Sequence, residues 1–154
     1  TIPFTKSFSW LSFLRLKALR HSAKKKVLDM GIVCQSELDE IETLSGGNQQ
    51  KVVVGRWLLK PCKLLILDEP FQGVDIKARQ DIGTYIRQTA DNRATIVFVS
   101  ELDEALEIAD RILVMSEKSV VGEHKNQNVN LDKILMEISG QTPPDTKNWN
   151  VHAD

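Results

Sequence analysis

A short apolar run that ends in two acids and a proline constrains the fold of this chain more than any other feature. The run covers Leu64 to Leu67, and Asp68, Glu69 and Pro70 follow it directly. A continuous apolar stretch of this length is typical of a buried strand in a parallel sheet. Because open α/β sheets hold ligands outside the carboxyl ends of their strands, the two acids lie where chemistry is expected.

A second feature, Ser45-Gly46-Gly47, stands where a helix is expected to begin. Glycine has no Cβ, so a large anion can approach its backbone closely. The free N–H groups of a first helical turn point towards such an anion, and the helix dipole favours negative charge there. An anion site followed by a pair of acids that suits a divalent cation indicates phosphate chemistry.

The rest of the chain alternates between helical and strand patterns. Helices with apolar residues at helical spacing are predicted at residues 11–30, 45–59, 75–90, 102–109 and 131–138, and a single helical turn at 36–40. Strands are predicted at residues 63–67, 95–99, 111–115 and 120–122. This order predicts an α/β fold with flanking helices, in which the first two of these strands are fully buried.

Three residues are predicted to mark the ends of helices. Gly31 suits the C-terminal cap of the first helix, and Ser45 and Asp75 suit the N-caps of the next two. The residues expected to form the apolar face of the second helix are Val52, Val53, Trp57 and Leu58.

The composition, with 42% hydrophobic and 27% charged residues in 154, is that of one globular domain. A net charge of −1 argues against nucleic acid as a partner. Residues 1–30 hold seven basic side chains against one acidic, so a solvated cationic helix face is expected, with contact to anionic lipid or another subunit as the alternative. No apolar run is long enough to span a membrane. Because Thr1 is not a methionine, a piece of a longer polypeptide is expected, cut naturally or experimentally.

The cysteines and histidines show no metal-binding or catalytic pattern. Cys34 and Cys62 are expected to be small, half-buried thiols in a reducing cytosol. The histidines, far in sequence from the motifs and without partners that suggest a triad, are expected at the surface; they are His21, His124 and His152.

Together the motifs resemble those of the ATP-binding cassette (ABC) ATPases. Leu44 to Lys51 resembles the signature motif, Leu64 to Glu69 the Walker B strand with its catalytic glutamate, and Gly73 to Asp75 the D-loop. The extension Asn48 to Lys51 resembles that of bacterial sugar importers of the ribose/galactose/xylose type, particularly their second cassette. Three motifs in order, within a resemblance from about Leu28 to Glu123, make it specific.

The resemblance implies a partial ABC-type P-loop NTPase core with a mostly parallel sheet, plus part of the helical subdomain. Residues 1–44 would be a lead-in and remnant of that subdomain, and 45–123 the core with signature, Walker B, D-loop and switch. Residues 124–140 would form a C-terminal helix and 141–154 a disordered tail.

The resemblance also implies catalytic roles. Asp68 would belong to the Mg²⁺ shell, usually through water, and Glu69 would polarise the attacking water. Because side chains alternate along a strand, these two acids are expected to point to opposite sides. Ser100 stands where most cassettes have a switch histidine, and Ser100-Glu101 fits the form of second cassettes in sugar importers.

In ABC dimers the signature contacts ATP held by the phosphate loop of the opposite cassette. The residues that the resemblance assigns to this nucleotide site are Ser45, Gly46, Gly47, Asn48, Gln49 and Asp75, the last also communicating across the dimer interface. The sequence contains no G-x-x-x-x-G-K-[ST] phosphate loop and no glutamine loop, so the isolated chain is expected to be inactive. Phe71 and Gln72 replace the Thr-Arg commonly found after Glu-Pro, which leaves the local hydrogen bonding open.

The complete subunit would use ATP and Mg²⁺, dimerise with a second cassette, drive transmembrane permease subunits and serve a sugar-binding protein indirectly, without nucleic acid. It would be cytoplasmic and peripheral on the inner face of the bacterial membrane. One alternative is a truncated, catalytically dead cassette that acts as an interaction module or is a remnant. Another is a DNA-repair or chromosome-organising ATPase, against which the Asn48–Lys51 extension and the near-neutral charge argue.

Overall fold

The computed structural model describes residues 9–10, 13–90 and 92–141, without the side chains of residues 10, 13 and 14. The helices are α1 (Leu16–Asp29), α2 (Gly46–Trp57), α3 (Ile76–Gln88), α4 (Leu102–Ile108) and α5 (Leu131–Ile138), with a 3₁₀-helix at Ile41–Thr43. The strands are β1 (Ser9–Trp10), β2 (Phe13–Leu14), β3 (Leu64–Asp68), β4 (Ala94–Phe98), β5 (Arg111–Ser116) and β6 (Ser119–Lys125). The chain divides into two compact units between Glu104 and Ala105.

In the first unit, β3 and β4 pair in parallel, with Leu64 opposite Ala94 and Asp68 opposite Phe98. Helix α3 connects them, since parallel strands need a crossover. Both strands lie within one residue of their predicted positions, and the α/β prediction is confirmed. Strand β3 therefore delivers Asp68 to the carboxyl end of a parallel pair, as the apolar run predicted.

The prediction that these two strands are fully buried is wrong. Leu65 and Leu67 are buried, whereas Ile66 is 56% exposed and Phe98 46% exposed. Alternate residues of β3 point to opposite faces, so a sheet with one covered face leaves every second residue in contact with solvent. The described residues cover one face of this two-stranded sheet.

The first helix begins later than predicted. Residues 13–14 form β2, which pairs antiparallel with β1, and α1 starts at Leu16. Arg15 has a non-helical ψ of 74°. The apolar spacing is compatible with a helix that begins at residue 11 or at residue 16, so periodicity alone does not locate the start of α1.

The end of α1 is as predicted. Gly31 has a φ of +58°, a left-handed conformation that glycine adopts easily. The N–H of Ile32 donates to the carbonyl of Val27, and that of Gly31 donates to Leu28. This pair of hydrogen bonds is a Schellman motif.

The helical turn predicted at 36–40 is a hydrogen-bonded turn in which the N–H of Asp39 donates to the Ser36 carbonyl at 3.2 Å, and the regular 3₁₀-helix follows it at Ile41–Thr43. The carboxylate of Asp39 accepts hydrogen bonds from the backbone N–H groups of Gln35 and Ser36. A side chain that binds the backbone locally competes with a helical turn. These bonds, that of the Ser36 N–H foremost, lower the pKa of Asp39.

Helix α2 buries a different face from the one predicted. Leu58 is buried as expected, but Trp57 is 45% exposed, and the most buried apolar side chain of the helix is Val54. The buried stripe runs through Gly47, Lys51 and Gly55, four residues apart. The two glycines allow Ala78 and Met30 to approach α2 closely, so the face that carries the glycines is the one that is buried.

In the second unit, β5 and β6 form an antiparallel hairpin on which α5 packs, and all three elements include the residues predicted for them. His21 is exposed as expected, and His152 lies outside the described residues. The prediction that all three histidines lie at the surface is wrong for His124, because its side chain is only 10% exposed. Its Nε2 lies 2.6 Å from the carboxylate of Glu137, a buried residue of α5.

Two groups of predictions are left as they stand. The predicted domain boundaries at residues 44, 123 and 140 remain predictions. Residues 1–8 of the lead-in predicted at 1–10, and residues 142–154 of the tail predicted at 141–154, lie outside the described residues.

Candidate functional site

The start of α2 is open to solvent. Ser45 takes the N-cap position with an extended backbone, as predicted, but its side chain makes no capping hydrogen bond. Its hydroxyl accepts a hydrogen bond of 2.9 Å from the amide of Asn48 instead. Ser45 and Gly46 are exposed. Gly46 is thus the exposed residue of the first turn, and its N–H, which has no partner within a helix, is placed to meet a ligand there.

Gly47 has a packing role that the sequence did not reveal. A Cβ at this position would lie 2.7 Å from the Cβ of Ala78 and 3.3 Å from a carboxylate oxygen of Asp75. By contrast, the nearest atom to a Cβ at Gly46 is the Gly73 carbonyl oxygen, at 3.7 Å. The glycine turn of α2 thus lies directly against the segment that begins α3.

That segment is held by its own contacts. The carboxylate of Asp75 accepts a 2.8 Å hydrogen bond from the N–H of Ala78, which confirms the predicted N-cap. The turn that precedes Asp75 contains Phe71, which is 2% exposed and anchors it in the core. The same turn contains Gly73, which has a φ of +70°. The N–H of Gln72 donates to the carbonyl of Glu69, so the unusual Phe-Gln pair still forms a hydrogen-bonded turn.

Two of the predicted catalytic residues meet at the carboxyl end of the sheet. The N–H of Glu69 donates to the Phe98 carbonyl at 3.0 Å, which extends the β3–β4 ladder by one bond. The backbone of Glu69 then turns left-handed, with a φ of +46°. Its carboxylate accepts a hydrogen bond from the hydroxyl of Ser100, which follows β4. Because Glu69 leaves the strand, simple alternation with Asp68 does not set its direction.

Asp68 is the last residue of β3 and is exposed. Within the described residues, no cluster of three or more histidine, cysteine or acidic side chains forms a metal cage. Mg²⁺ in phosphate sites is commonly held by one or two carboxylates together with phosphate oxygens and water. One exposed carboxylate therefore fits the part that Asp68 would have in such a site.

The extension after the glycines makes contacts within the chain. The side-chain oxygen of Asn48 accepts from the N–H of Val33 at 2.9 Å, and the amide of Gln49 donates to the Leu44 carbonyl at 2.9 Å. The resemblance places both residues at the nucleotide site as support for the signature contact. Their amides hold the turn, so the geometry favours that supporting role.

Sequence reasoning missed two residues of the same extension. The amide of Gln50 donates to the carbonyl of Pro70 at 2.9 Å, which links α2 to the turn after the acids. Lys51 is buried and pairs with Asp81 on α3. The four-residue spacing from Gly47 was the available signal for a buried Lys51, but its partner is not readable from periodicity.

Comparison with known proteins identifies the family. Residues 17–72 match a family profile described as ABC transporter. A ribose/galactose/methyl galactoside import ATP-binding protein, so named in Halalkalibacterium halodurans, is 39% identical over 95% of this chain and 27% of its own length. The chain belongs to the ABC transporter ATP-binding family. Arabinose import ATP-binding protein AraG of Pseudomonas savastanoi is 42% identical over 75% of the chain and 23% of its own length.

Solved ABC structures share the fold. A dimeric ATP-binding cassette with ADP and phosphate, in a post-hydrolysis state, aligns with a TM-score of 0.68 at 19% identity, over 83% of this chain and 56% of that one. A bacterial Atm1-family ABC exporter with ATP bound aligns with a TM-score of 0.61 at 26% identity, over 79% and 22%. The predicted partial ABC cassette fold is confirmed.

Membership of the ABC family implies a nucleotide, typically with Mg²⁺, as the ligand of this fold. The chain spans about a quarter of the length of the curated relatives it matches. Across the part of the chain that the structure describes, none of the helices could cross a membrane.

Proposed function

We propose that this chain supplies the signature, Walker B strand and D-loop of an ATP-hydrolysing subunit that powers sugar import through a membrane permease. One observation carries the proposal: the helix start at Ser45-Gly46 is exposed and uncapped, and it lies against the segment that Asp75 caps. The sugar-import names of the relatives support the class of cargo.

In this proposal the turn closes over the phosphates of an ATP that another cassette holds with its own phosphate loop. The N–H groups at the start of α2 would donate to phosphate oxygens, and the hydroxyl of Ser45 would add another donor. Phosphoryl transfer depends on positioning and charge neutralisation more than on covalent chemistry. An open turn is suited to that task because it can approach a ligand fixed on a second polypeptide.

The acids at the end of β3 would act on the chain's own side of the site. Asp68 would contribute to the Mg²⁺ shell, and Mg²⁺ would supply charge neutralisation for the phosphates. Glu69 would orient the attacking water, and the Ser100 hydroxyl would hold its carboxylate in place. A serine in this position can donate one hydrogen bond, but it cannot carry the charge of an imidazolium.

The proposal includes partners and a place in the cell. The chain would pair with a second cassette and contact the permease subunits on the inner face of the bacterial membrane. A sugar-binding protein would be an indirect partner. Since the given sequence contains no phosphate loop, the chain alone would contribute its signature to the nucleotide of the second cassette, and its own acids would act once the complete subunit supplies that loop.

The test is a mixing experiment with a complete sugar-importer cassette whose own signature has been disabled by mutation. Adding this chain is expected to restore ATP hydrolysis at least several-fold, and Gly46→Asp is expected to abolish the gain because a carboxylate would face the phosphates. Gln80→Glu, which places a charge at an exposed position of α3, is the matched control and should restore activity fully. Equal activity of wild-type chain and Gly46→Asp would favour a catalytically dead remnant or interaction module.

A further inference from the structure

Lys51 is a buried cation in the middle of α2 that the nucleotide chemistry does not use. The residue is 5% exposed. Its ammonium lies 2.6 Å from a carboxylate oxygen of Asp81 and donates a 3.1 Å hydrogen bond to the carbonyl of Gly31. An ammonium has three donors and no acceptor, so two of its three hydrogen bonds are made inside the protein.

The two partners of Lys51 belong to different elements. Gly31 forms the left-handed turn that ends α1, and Asp81 lies on α3, which Asp75 caps. The side chain of Lys51 therefore joins the end of α1, the middle of α2 and the first half of α3 at one point. The carboxylate of Asp81 is 39% exposed, so the pair has one buried and one partly solvated member.

Close packing on either side of Lys51 leaves little freedom for these elements to slide. One turn before it, Gly47 lies against Ala78, and one turn after it, Gly55 lies against Met30. A Cβ at Gly55 would come within 2.5 Å of the sulfur of Met30. Well-packed interfaces shift between discrete arrangements and do not deform continuously. Helix α2 is thus fixed to the α1 end and to α3 together.

We propose that Lys51 is a positioning residue that fixes the D-loop segment against the signature turn and ties both to the end of α1. Removing its charge would leave Ser45–Gly47 and Asp75 in place on their own helices but would loosen their relation to each other. The catalytic consequence rests on the proposed function, whereas the mechanical linkage does not.

Hydrogen–deuterium exchange on the full chain tests the linkage. Lys51→Met keeps the aliphatic stem without the charge, and it should raise exchange of the Ala78 and Arg79 amides about tenfold, as expected for local opening at the start of α3. Lys51→Arg should restore protection, because it keeps a donor for both partners. Lys77→Met, at an exposed position of α3, is the matched control and should leave the protection of these amides unchanged.

A second variant separates positioning from loss of folding. Asp81→Asn leaves the buried ammonium of Lys51 without its charged partner and should raise exchange at the same amides at least as much as Lys51→Met does. Exchange of these amides within twofold of wild type in Lys51→Met, or a uniform rise along the chain in both variants, would overturn the proposal.

The mixing experiment measures the catalytic consequence. Lys51→Met should lower the maximum rate about tenfold and leave the KM for ATP within twofold, because the complete cassette supplies the phosphate loop. A rate that falls only in proportion to the folded fraction would contradict positioning. If the wild-type chain fails to restore hydrolysis, the proposed function fails, and the exchange result still decides the linkage.

Discussion

The hydroxyl of Ser100 donates a hydrogen bond to the carboxylate of Glu69, whose backbone has a φ of +46°. A left-handed conformation is unfavourable for a residue with a long side chain. The Phe98 carbonyl fixes the N–H of Glu69 and Ser100 fixes its carboxylate, so the surrounding structure determines this residue at both ends. Strained residues held in this way are typical of functional sites.

Glu69→Gly should therefore stabilise the chain while removing the carboxylate proposed to orient water. Relief of the left-handed strain is worth about 1–2 kcal/mol. Loss of the exposed Ser100 hydrogen bond and the greater unfolded-state entropy of glycine each offset about 0.5 kcal/mol of it. Urea denaturation should show a net gain in the free energy of unfolding.

Glu117→Gly is a matched control, because Glu117 has the same φ of +46° in the turn between β5 and β6. It should give a similar gain without touching the site. A loss of stability in Glu69→Gly, with a gain in Glu117→Gly, would show that Glu69 is not strained.

The two signature glycines should respond differently to an added methyl group. Gly47→Ala meets Ala78 and should cost about 1–3 kcal/mol of unfolding free energy, as overpacking does. Gly46→Ala makes only an ordinary van der Waals contact with the Gly73 carbonyl oxygen and should be neutral or stabilising by up to about 1 kcal/mol, because alanine is the better helix former. Equal costs at both positions, measured by urea titration, would refute the packing role of Gly47.

The buried pair of His124 and Glu137 should be a stability determinant of the second unit. A Cβ at Gly122 would come within 2.4 Å of the Glu137 carboxyl carbon, so the carboxylate sits tightly against β6. His124→Ala should lower the free energy of unfolding by about 1–3 kcal/mol, because it removes the nearer partner of a buried carboxylate and leaves the ammonium of Lys133 at 4.0 Å.

His21→Ala supplies the control, since His21 is exposed and should change stability by less than about 0.5 kcal/mol. Hydrogen exchange of α5 would locate the effect. A His124→Ala variant as stable as His21→Ala would mean that the pair contributes nothing net.

Cys34 should react slowly with alkylating reagents. Partial burial, and next the negative charges of Asp39 and Glu37, raise the pKa of its thiol. A raised pKa leaves less thiolate at pH 8, and the thiolate is the nucleophile. The alkylation rate should therefore keep rising as the pH is raised above 8. Asp39→Asn removes one of these charges and should speed alkylation several-fold at pH 8, since one pKa unit is tenfold in thiolate.

Iodoacetamide labelling followed by mass spectrometry of the Cys34 peptide gives the rate. A glutathione-like model thiol serves as the reference. Reaction of Cys34 faster than that reference, or no acceleration in Asp39→Asn, would contradict the electrostatic account.

Local chemistry made much of the site predictable. The apolar run before Asp68 and the N-cap at Asp75 depend on neighbours in sequence, and both are where the sequence predicts them. The Schellman turn at Gly31 is equally local, since its hydrogen bonds reach back only five residues. Such features are fixed by steric and hydrogen-bonding rules that operate within one turn of chain.

Features that depend on distant contacts were not predictable. Trp57 looks like a core residue by spacing, but the glycines at 47 and 55 turn another face inward. His124 has no sequence neighbour that signals Glu137, which lies thirteen residues away on another element. The half-exposed sheet also follows from what covers the strands, a property that an apolar run does not encode.

An ATP-dependent cross-link tests the central claim most directly. Ser45→Cys, made after Cys34 and Cys62 are changed to serine, places a thiol at the open turn, and a cysteine is placed in the phosphate loop of a complete sugar-importer cassette. With ATP, Mg²⁺ and a mild oxidant such as copper phenanthroline, which takes up the two electrons, the two thiols should form a disulfide, because the turn would close over nucleotide held by that loop. With the same oxidant but without ATP, the yield should be at background. Failure to cross-link at any ATP concentration, or a yield independent of ATP, would contradict the account.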